Sequence, residues 1–433
     1  MQMKTIGIIA EFNPFHKGHL HLINECKKEL CADRCVVIMS GDFVQRGAPA
    51  IMDKFSRAQM ALMGGADVVL ELPIYYSLGS AEYFAGGAVS ILDSIGCAYH
   101  LCFGSESGDI SVLTKIASLL NDEPDEFKTA LSANLKSGLS FAKARENAVL
   151  SVLGDDDSSK EISLALSSPN NILAIEYIKA LLKRNSKISP YTISRIGSDY
   201  NSADISEVSS ATAIRKLILE NEKNHETLSE KFSEPANSED IEHRAFLNDL
   251  LSDIVPSFAK EIIADYHYSF AETNALSDLL WFKLTIEKNR GFDEYLDVNT
   301  DLSNKITARL NDFTSFDNLC ESLKSKELTY SRISRALMHI LLDIKADKMA
   351  SFKEDNFTGY ARILGAKKES SDLIKKMRES SCIPVIGNLK EANSSLSPLQ
   401  RELFDATILS SQVYSKLFFG SSINEFQKPL LLM

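Results

Sequence analysis

The first 110 residues alternate short apolar runs with stretches of helical periodicity. Strands are predicted for the runs TIGIIAEF, CVVIMSG, ADVVLELP and AYHLCFG, and helices for HLHLINECKKEL, FSRAQMALMGG and SAEYFAGGAVSILDSIG. Continuous apolar strands separated by helices are typical of a parallel sheet that is covered on both faces. With right-handed crossovers, this pattern predicts a doubly wound α/β domain whose ligand lies outside the carboxyl ends of the strands. The loops NPFHKGH, SGDFVQRG and FGSE fall at those ends.

The pattern changes in the second half of the chain. A polar, charged stretch that is poor in aromatic residues occupies roughly residues 220–243. After about residue 245, apolar residues recur at spacings of three and four, as in RISRALMHILLDI and SDLIKKM, and no strand pattern is evident. We therefore predict an α/β domain over residues 1–220, a polar linker or insertion over 221–243, and an all-helical domain over 244–433.

Composition supports a packed, soluble protein of two domains. The 433 residues are 44% hydrophobic and 24% charged, and no apolar run approaches the roughly 20 residues that span a bilayer. The N-terminus is typical of a first strand and not of a signal peptide. Seven cysteines without a CxxC pair favour buried, reduced thiols in a cytoplasmic protein over a zinc site at Cys26, Cys31 and Cys35.

The net charge of −12 argues at first against a nucleic-acid partner. The charge is distributed unevenly, because residues 324–378 contain 13 Lys and Arg against 7 Asp and Glu. A polyanion, if one binds, is therefore expected to meet the C-terminal half.

The segment Asn13–His19 (NPFHKGH) follows the first predicted strand and precedes a helix. His16 and His19 can present two imidazoles beside the helix N-terminus, where backbone N–H groups and the helix dipole attract phosphate. Imidazoles that donate to phosphate oxygens stabilise the charge that develops as pyrophosphate leaves. Gly18 lets a nucleotide approach the backbone closely. The alternative is a turn with two surface histidines.

A second candidate phosphate site is Ser209–Lys216 (SSATAIRK). Ser210 and Thr212 can donate to anionic oxygens, and Arg215 can bind them bidentately. The alternative interpretation is a helix that is simply well capped.

These two motifs resemble signatures of the nucleotidylyltransferase superfamily. HKGH resembles its HxGH motif, and SSATAIRK resembles its C-terminal motif, in which hydroxyls and a basic residue at a helix start hold the β- and γ-phosphates. The ordered set GIIAEFNPFHKGH, MSGDFVQRG, GADVVLELP, FGSE, SPNNILAIEYIKAL, SRIG and SATAIRK is similar to the bacterial tRNA(Met) cytidine acetate ligase family. The resemblance covers most of the first 218 residues. The helical part matches more loosely, through TYSRISRALMHILL and RILG.

The resemblance implies a cytoplasmic, ATP-dependent ligase. Such an enzyme activates acetate as acetyl-adenylate and transfers the acetyl group to N4 of the wobble cytidine, position 34, of elongator tRNA(Met). The implied partners are ATP, acetate and that tRNA, with Mg²⁺ held mainly by ATP and no membrane. The sequence shows no dedicated metal site, names no general base for the cytidine amine and leaves the oligomeric state open.

The resemblance also implies site residues, with His16 and His19 as the catalytic pair. The implied ATP-binding residues are Gly7, Ile8, Ile9, Ala10, Glu11, Phe12, Asn13, Pro14, Phe15, His16, Lys17, Gly18, His19, Leu20, Gly104, Asn170 (preferred over Asn171), Arg195, Ser210, Thr212 and Arg215. The candidates for tRNA binding are Arg332, Arg335, Arg362, Lys367 and Lys368. Arg46 and Lys54 are weaker candidates for acetate or a tRNA phosphate, and Glu71 and Glu106 are candidates to orient a base or a magnesium water or to cap a helix.

Two other functions are compatible with these motifs. The first is a nucleotidylyltransferase that acts on a small phosphorylated metabolite, although such enzymes are commonly single small α/β domains. The second is a non-catalytic ATP-binding or RNA-binding protein, although both signature motifs are intact here.

Overall fold

The computed structural model describes residues 3–154, 159–195, 211–229 and 249–433, with residues 222–229 described by their backbone alone. The strands are β1 (Thr5–Ala10), β2 (Arg34–Ser40), β3 (Phe43–Val44), β4 (Ala48–Pro49), β5 (Val68–Leu72), β6 (His100–Ser105), β7 (Ser189–Ser194), β8 (Ala361–Ala366), β9 (Val385–Ile386) and β10 (Leu431–Leu432).

Helices connect these strands and form most of the C-terminal region. The α-helices are α1 (Lys17–Glu29), α2 (Lys54–Met63), α3 (Ile74–Ser77), α4 (Ala81–Ser94), α5 (Ile110–Asp122), α6 (Asp125–Lys136), α7 (Phe141–Leu153), α8 (Ser159–Ser167), α9 (Pro169–Lys183), α10 (Ala211–Ser229), α11 (Ser257–Ala264), α12 (Ser277–Glu287), α13 (Thr300–Arg309), α14 (Phe316–Leu323), α15 (Tyr330–Leu341), α16 (Ala346–Glu354), α17 (Ser371–Ser380), α18 (Ala392–Ser395) and α19 (Pro398–Phe418). Short 3₁₀ helices lie at Thr273–Leu276, Leu310–Asp312, Lys368–Ser370, Leu389–Glu391 and Glu425–Gln427.

Side-chain caps fix where several helices begin. Asp53 accepts hydrogen bonds from the backbone N–H groups of Phe55 and Ser56 at the start of α2. Ser397 and Gln400 form a reciprocal capping box at the start of α19. Such caps satisfy N–H groups that have no partner within the helix, so they define the first turn.

The main sheet has the order β10-β8-β5-β2-β1-β6-β7, and β9 pairs with β8. Strands β5, β2, β1, β6 and β7 run parallel, whereas β8 is antiparallel to β5. The separate β3–β4 hairpin is antiparallel. The predicted fold class is confirmed: a largely parallel, doubly wound sheet is followed by a mainly helical region.

The C-terminal region contributes strands as well as helices, which differs from the all-helical prediction. Strand β8 lies against β5, with Arg362 opposite Glu71 and Ala366 opposite Val68. All six residues of β8 are buried. A short, fully buried strand has no alternation of apolar and polar positions, so its periodicity cannot be distinguished from that of a helix segment.

Apolar clusters cover both faces of the sheet. On one face, Val36 of β2 shares a cluster with Leu337 of α15. On the other face, Val37 shares a cluster with Ile214 of α10 and Ile263 of α11. The predicted boundary at 221–243 stays a prediction, because residues 230–248 lie outside the described part of the chain. The described residues before and after it share one sheet and both apolar clusters.

Among the described residues, no helix is long and apolar enough to cross a membrane.

Candidate functional site

The two histidines form the turn between β1 and α1. His16 is the N-cap of α1, and its Nδ1 accepts a hydrogen bond from the Gly18 N–H at 3.1 Å. Nδ1 of His19 accepts the His16 N–H at 3.2 Å, and the two rings are stacked with centroids 3.7 Å apart. Because each Nδ1 accepts, each neutral ring carries its hydrogen on Nε2. The turn therefore offers two side-chain N–H donors.

Burial keeps these imidazoles neutral. Burial, with a smaller effect from the positive charge of Arg195, lowers the pKa of His16 to about 4. Burial also lowers the pKa of His19 well below its ordinary value, with smaller effects from His16 and Arg195. Neutral donors bind phosphate oxygens directionally without contributing a charge of their own.

The histidines open into a cavity of about 630 Å³. This volume lies within the range of ordinary ligand pockets. The cavity is lined by Ile9, Ala10, Glu11, Phe12, Asn13, His16, His19, Leu22, Gln45, Arg46, Ala81, Phe84, Phe103, Gly104, Pro169, Asn170, Ile172, Leu173, Tyr177, Arg195, Ala211, Thr212, Arg215, Ser331 and Arg335. It lies at the carboxyl edge of the parallel strands, where the sequence predicted a ligand.

Strand order divides the wall of this cavity into two sides. Because β1 lies between β2 and β6, residues that follow β6 and β7 approach from one side, and residues that follow β2 and β5 approach from the other. The first side holds Gly104, Asn170 and Arg195, and the second holds Gln45, Arg46, Ala81 and Phe84.

On the β6 side, Gly104 is packed closely against Arg195. A Cβ at this position would lie 3.1 Å from Cγ of Arg195. Of the two candidate asparagines, Asn170 lines the cavity, and its Nδ2 donates to Oε1 of Glu106 at 2.6 Å. Asn171 is fully buried and accepts the Glu106 N–H at 2.9 Å. Glu106 itself accepts the Asn171 N–H at 2.9 Å, so it caps α9.

The second predicted phosphate motif reaches the cavity through α10. Arg215 donates to the carbonyl oxygen of Asn13 at 2.7 Å and to the Thr212 hydroxyl at 3.1 Å. Arg46 donates to the same hydroxyl at 3.4 Å. Burial lowers the pKa of Arg215 somewhat from an ordinary value far above neutrality, so its charge is retained. Ser210, predicted beside them, lies outside the described residues.

The predicted loop Gly7–Leu20 contributes to the cavity unevenly. Seven of its residues line the wall: Ile9, Ala10, Glu11, Phe12, Asn13, His16 and His19. The other seven, Gly7, Ile8, Pro14, Phe15, Lys17, Gly18 and Leu20, lie behind or beside them. Gly7, for example, is packed within β1, and a Cβ there would lie 2.5 Å from a methyl group of Leu92. Its role is therefore close packing behind the wall.

The C-terminal region supplies one part of the wall through α15. Ser331 and Arg335 line the cavity, and Nε of Arg335 donates to Asp297 at 3.2 Å. Gly47, with φ of +81°, permits this approach, because a Cβ there would lie 2.4 Å from the backbone nitrogen of Arg335. Arg332 is exposed on the same helix. Ser331 was not among the residues predicted from the sequence, since no local pattern shows that α15 reaches the first domain.

The remaining tRNA candidates lie elsewhere. Lys367 and Lys368 follow β8, which runs antiparallel to β5 and pairs Ala366 with Val68 at the amino edge of the parallel strands. They are therefore at the edge opposite the cavity. Lys368 is exposed, and Lys367 is partly exposed.

The candidacy of Arg362 for tRNA binding is wrong, because its side chain is buried in the core. One guanidinium nitrogen lies 2.5 Å from Glu71, and another contacts Glu425. Lys54 is also buried, 2.7 Å from Glu71 and 2.9 Å from Glu425. Burial with two carboxylates removes both cations from any surface for phosphate or acetate. The position of Arg362 within the apolar run YARILGA was the signal in the sequence.

A dedicated metal centre is not evident in the described part of the chain. No group of three or more His, Cys, Asp or Glu side chains there is placed to hold a metal ion. The cysteines in the described residues are free thiols.

The sequence of this chain is similar to a known family and to several of its members. The family model described as HIGH Nucleotidyl Transferase matches residues 3–428. The tRNA(Met) cytidine acetate ligase of Thermoanaerobacter sp. (strain X514) is 37% identical over 433 residues, which cover 99% of this chain and 100% of the relative. The enzyme of the same name from Clostridium novyi (strain NT) is 40% identical over 398 residues, which cover 91% and 92%.

The fold of this chain is also similar to that of two solved structures. The crystal structure of Thermotoga maritima TmcAL bound with alpha-thio ATP matches with a TM-score of 0.82 and 29% sequence identity, and covers 100% of both chains. The apo form of the same protein matches with a TM-score of 0.86, also at 29% identity and full coverage.

Proposed function

Because the chain belongs to the tRNA(Met) cytidine acetate ligase family of HIGH nucleotidyl transferases, we propose that it acetylates tRNA. In this proposal it activates acetate with ATP and transfers the acetyl group to N4 of the wobble cytidine of elongator tRNA(Met). One observation supports this function most strongly. A single cavity combines two neutral imidazoles at a helix N-terminus with Thr212 and Arg215 on one wall and residues of the C-terminal region on another.

The first half-reaction joins acetate to the α-phosphorus of ATP. A carboxylate oxygen attacks in line, a new P–O bond forms, and the bond to pyrophosphate breaks. Nε2–H groups of His16 and His19 donate to oxygens of the transferring phosphate. Arg215, Thr212 and Arg46 bind the departing pyrophosphate. Gly104, Asn170 and Arg195 form the side that receives the nucleoside.

The second half-reaction brings a nucleobase to the acetyl-adenylate. The wobble cytidine must be unstacked from the anticodon loop to place its exocyclic amine beside the acetyl carbon. The other residues on the β2 and β5 side, Gln45, Ala81 and Phe84, together with Ser331 and Arg335 of α15, are the part of the wall left for it. Arg332 and Arg335, three residues apart on one helix, are proposed to bind backbone phosphates near this entrance.

Mg²⁺ is expected to bind with the triphosphate, where it would offset the negative charge of the phosphates during adenylation. The proposed tRNA substrate would place the reaction in the cytoplasm.

Acetate-dependent exchange of radiolabelled pyrophosphate into ATP tests the first half-reaction directly. We expect exchange with acetate and Mg²⁺ and much less with formate or propionate. Incubation with acetate, ATP and elongator tRNA(Met) should then yield N4-acetylcytidine at position 34, detected by mass spectrometry of nuclease digests. Initiator tRNA is the matched control.

Two results would contradict the proposal. Pyrophosphate exchange that needs no acetate but requires a phosphorylated metabolite would indicate a cofactor-synthesising nucleotidylyltransferase. ATP binding without turnover, with or without tRNA, would indicate a non-catalytic protein.

A further inference from the structure

Glu11 lies directly after β1, before the turn that carries His16 and His19. The residue is partly buried and lines the cavity. Oε1 accepts a hydrogen bond from the backbone N–H of Gln45 at 2.8 Å, which fixes the carboxylate against the β3–β4 hairpin. Among the described residues of the wall, it is the one acidic side chain.

The other titratable groups of the described wall are unsuited to accept a proton. Nδ1 of His16 and of His19 already accepts a backbone N–H, and Nε2 carries the hydrogen. Burial raises the pKa of the Tyr177 phenol, which therefore keeps its proton at neutral pH. The arginines are permanent cations. Attack by an amine on a carbonyl carbon nevertheless releases a proton that some group has to receive.

Resting on the proposed acetyl transfer, we infer that Glu11 is the general base for the cytidine amine. N4 forms a bond to the acetyl carbon, the bond from that carbon to the adenylate oxygen breaks, and AMP leaves with the electron pair. The proton from N4 passes to the Glu11 carboxylate and then to solvent. A carboxylate is also the side chain that best accepts a hydrogen bond from the N4 amino group of cytosine.

The surroundings of Glu11 make its carboxylate a stronger base than an exposed glutamate. Burial raises the pKa of its carboxyl above the ordinary value, although the Gln45 N–H and three guanidinium groups act in the opposite direction. A general base is most effective when its pKa lies close to the working pH. The titratable and charged groups that face it are Arg46 of the hairpin, Arg57 of α2, Arg215 of α10 and Tyr177 of α9.

The test separates the two half-reactions in the full-length chain. Acetate-dependent pyrophosphate exchange measures adenylation, and single-turnover transfer from synthetic acetyl-adenylate to elongator tRNA(Met) measures the second step. We expect Glu11→Gln to slow transfer by about 100-fold or more, the usual contribution of a general base. The factor by which it slows exchange should be at least tenfold smaller. Glu25→Gln, on the outer side of α1 beside Lys28, is the matched control for loss of a carboxylate.

A pH profile distinguishes a base from a structural group. The wild-type transfer rate should rise with pH through the raised pKa of Glu11, and that rise should disappear in Glu11→Gln. Glu11→Asp should retain the rise at a reduced rate, and it serves as the test if the Gln variant does not fold.

Several outcomes would overturn the inference. Transfer by Glu11→Gln within threefold of wild type would exclude the role. Equal losses of exchange and transfer would instead assign Glu11 to ATP or Mg²⁺ binding. Absence of exchange in the wild-type chain would contradict the acetate ligase proposal itself, and the inference with it.

Discussion

Two groups of charged residues in this chain contrast sharply. In the buried ion cluster, formed by Lys54, Glu71, Arg362 and Glu425, each side chain has oppositely charged partners in the core. Among the described residues of the cavity wall, four arginines (Arg46, Arg195, Arg215 and Arg335) accompany one carboxylate, and the histidines are neutral. The cluster neutralises itself, whereas the cavity has an excess of positive charge. A site of the second kind is suited to a polyphosphate anion.

The buried ion cluster also shows why a charged residue is not by itself a functional signal. It joins α2 and β5 of the first half to β8 and the 3₁₀ helix at Glu425. Ser411 of α19 accepts a further hydrogen bond from Lys54 at 2.7 Å. Burial alone would lower the pKa of Lys54, but the surrounding carboxylates outweigh it and raise that pKa. The cluster therefore holds the C-terminal region against the sheet that forms the cavity.

Removing one charge from the buried ion cluster should have the largest effect on stability. Arg362→Ala leaves Glu71 and Glu425 without their guanidinium partner, and breaking a buried ion pair on one side costs about 3–5 kcal/mol. We expect a clear fall in the midpoint of thermal unfolding, as monitored by circular dichroism. Lys368→Ala, an exposed neighbour at the end of the same strand, is the control and should shift the midpoint little. An unchanged midpoint for Arg362→Ala would show that the cluster contributes nothing net.

Removing an imidazole from the cavity should give the opposite result, a loss of activity at nearly constant stability. His16→Asn keeps an N-cap residue and so preserves the start of α1. It should nevertheless slow acetate-dependent pyrophosphate exchange by about 100-fold or more, because one preorganised donor to the transferring phosphate is lost. His16→Ala should lose the same activity and, in addition, about 1 kcal/mol of stability from the missing cap. Normal exchange by His16→Asn would remove the histidine from the mechanism.

The local features of the cavity could be predicted from the sequence, whereas the partners in the buried ion cluster could not. Three features of the cavity are each encoded by a few consecutive residues: strand β1, the turn at His16 and the helix at Arg215. The pairing of β8 with β5 joins residues about 290 positions apart, so Arg362 and Glu71 could not be recognised as partners. The entry of α15 into the cavity wall is a long-range contact of the same kind. Asn170 and Asn171 differ only by their direction at the start of α9, which a sequence does not show.

Burial of His16 in the cavity should make the stability of the chain depend on pH. The pKa of His16 is about 4 in the folded chain and near 6.5 in the unfolded chain, so the unfolded state binds more protons between these values. The contribution of His16 to stability is therefore complete above pH 6.5 and decreases as the pH falls towards 4, by roughly 1 kcal/mol per pH unit. His16→Asn should make the acid side of a denaturant-midpoint profile shallower. An equally steep profile in that variant would assign the loss to other groups.

The smallest effects concern the surface cations, where the contrast is between the two edges of the sheet. Arg332 is exposed on α15 near the cavity, whereas Lys368 lies at the opposite edge. If the tRNA anticodon arm binds at the cavity, Arg332→Ala should weaken binding severalfold and reduce the dependence of log K on log salt concentration by about one unit, as expected for one lost phosphate contact. Lys368→Ala should change neither quantity. Filter binding of elongator tRNA(Met) over a series of salt concentrations measures both, and an equal loss in the two variants would mean that the tRNA reaches both edges of the sheet.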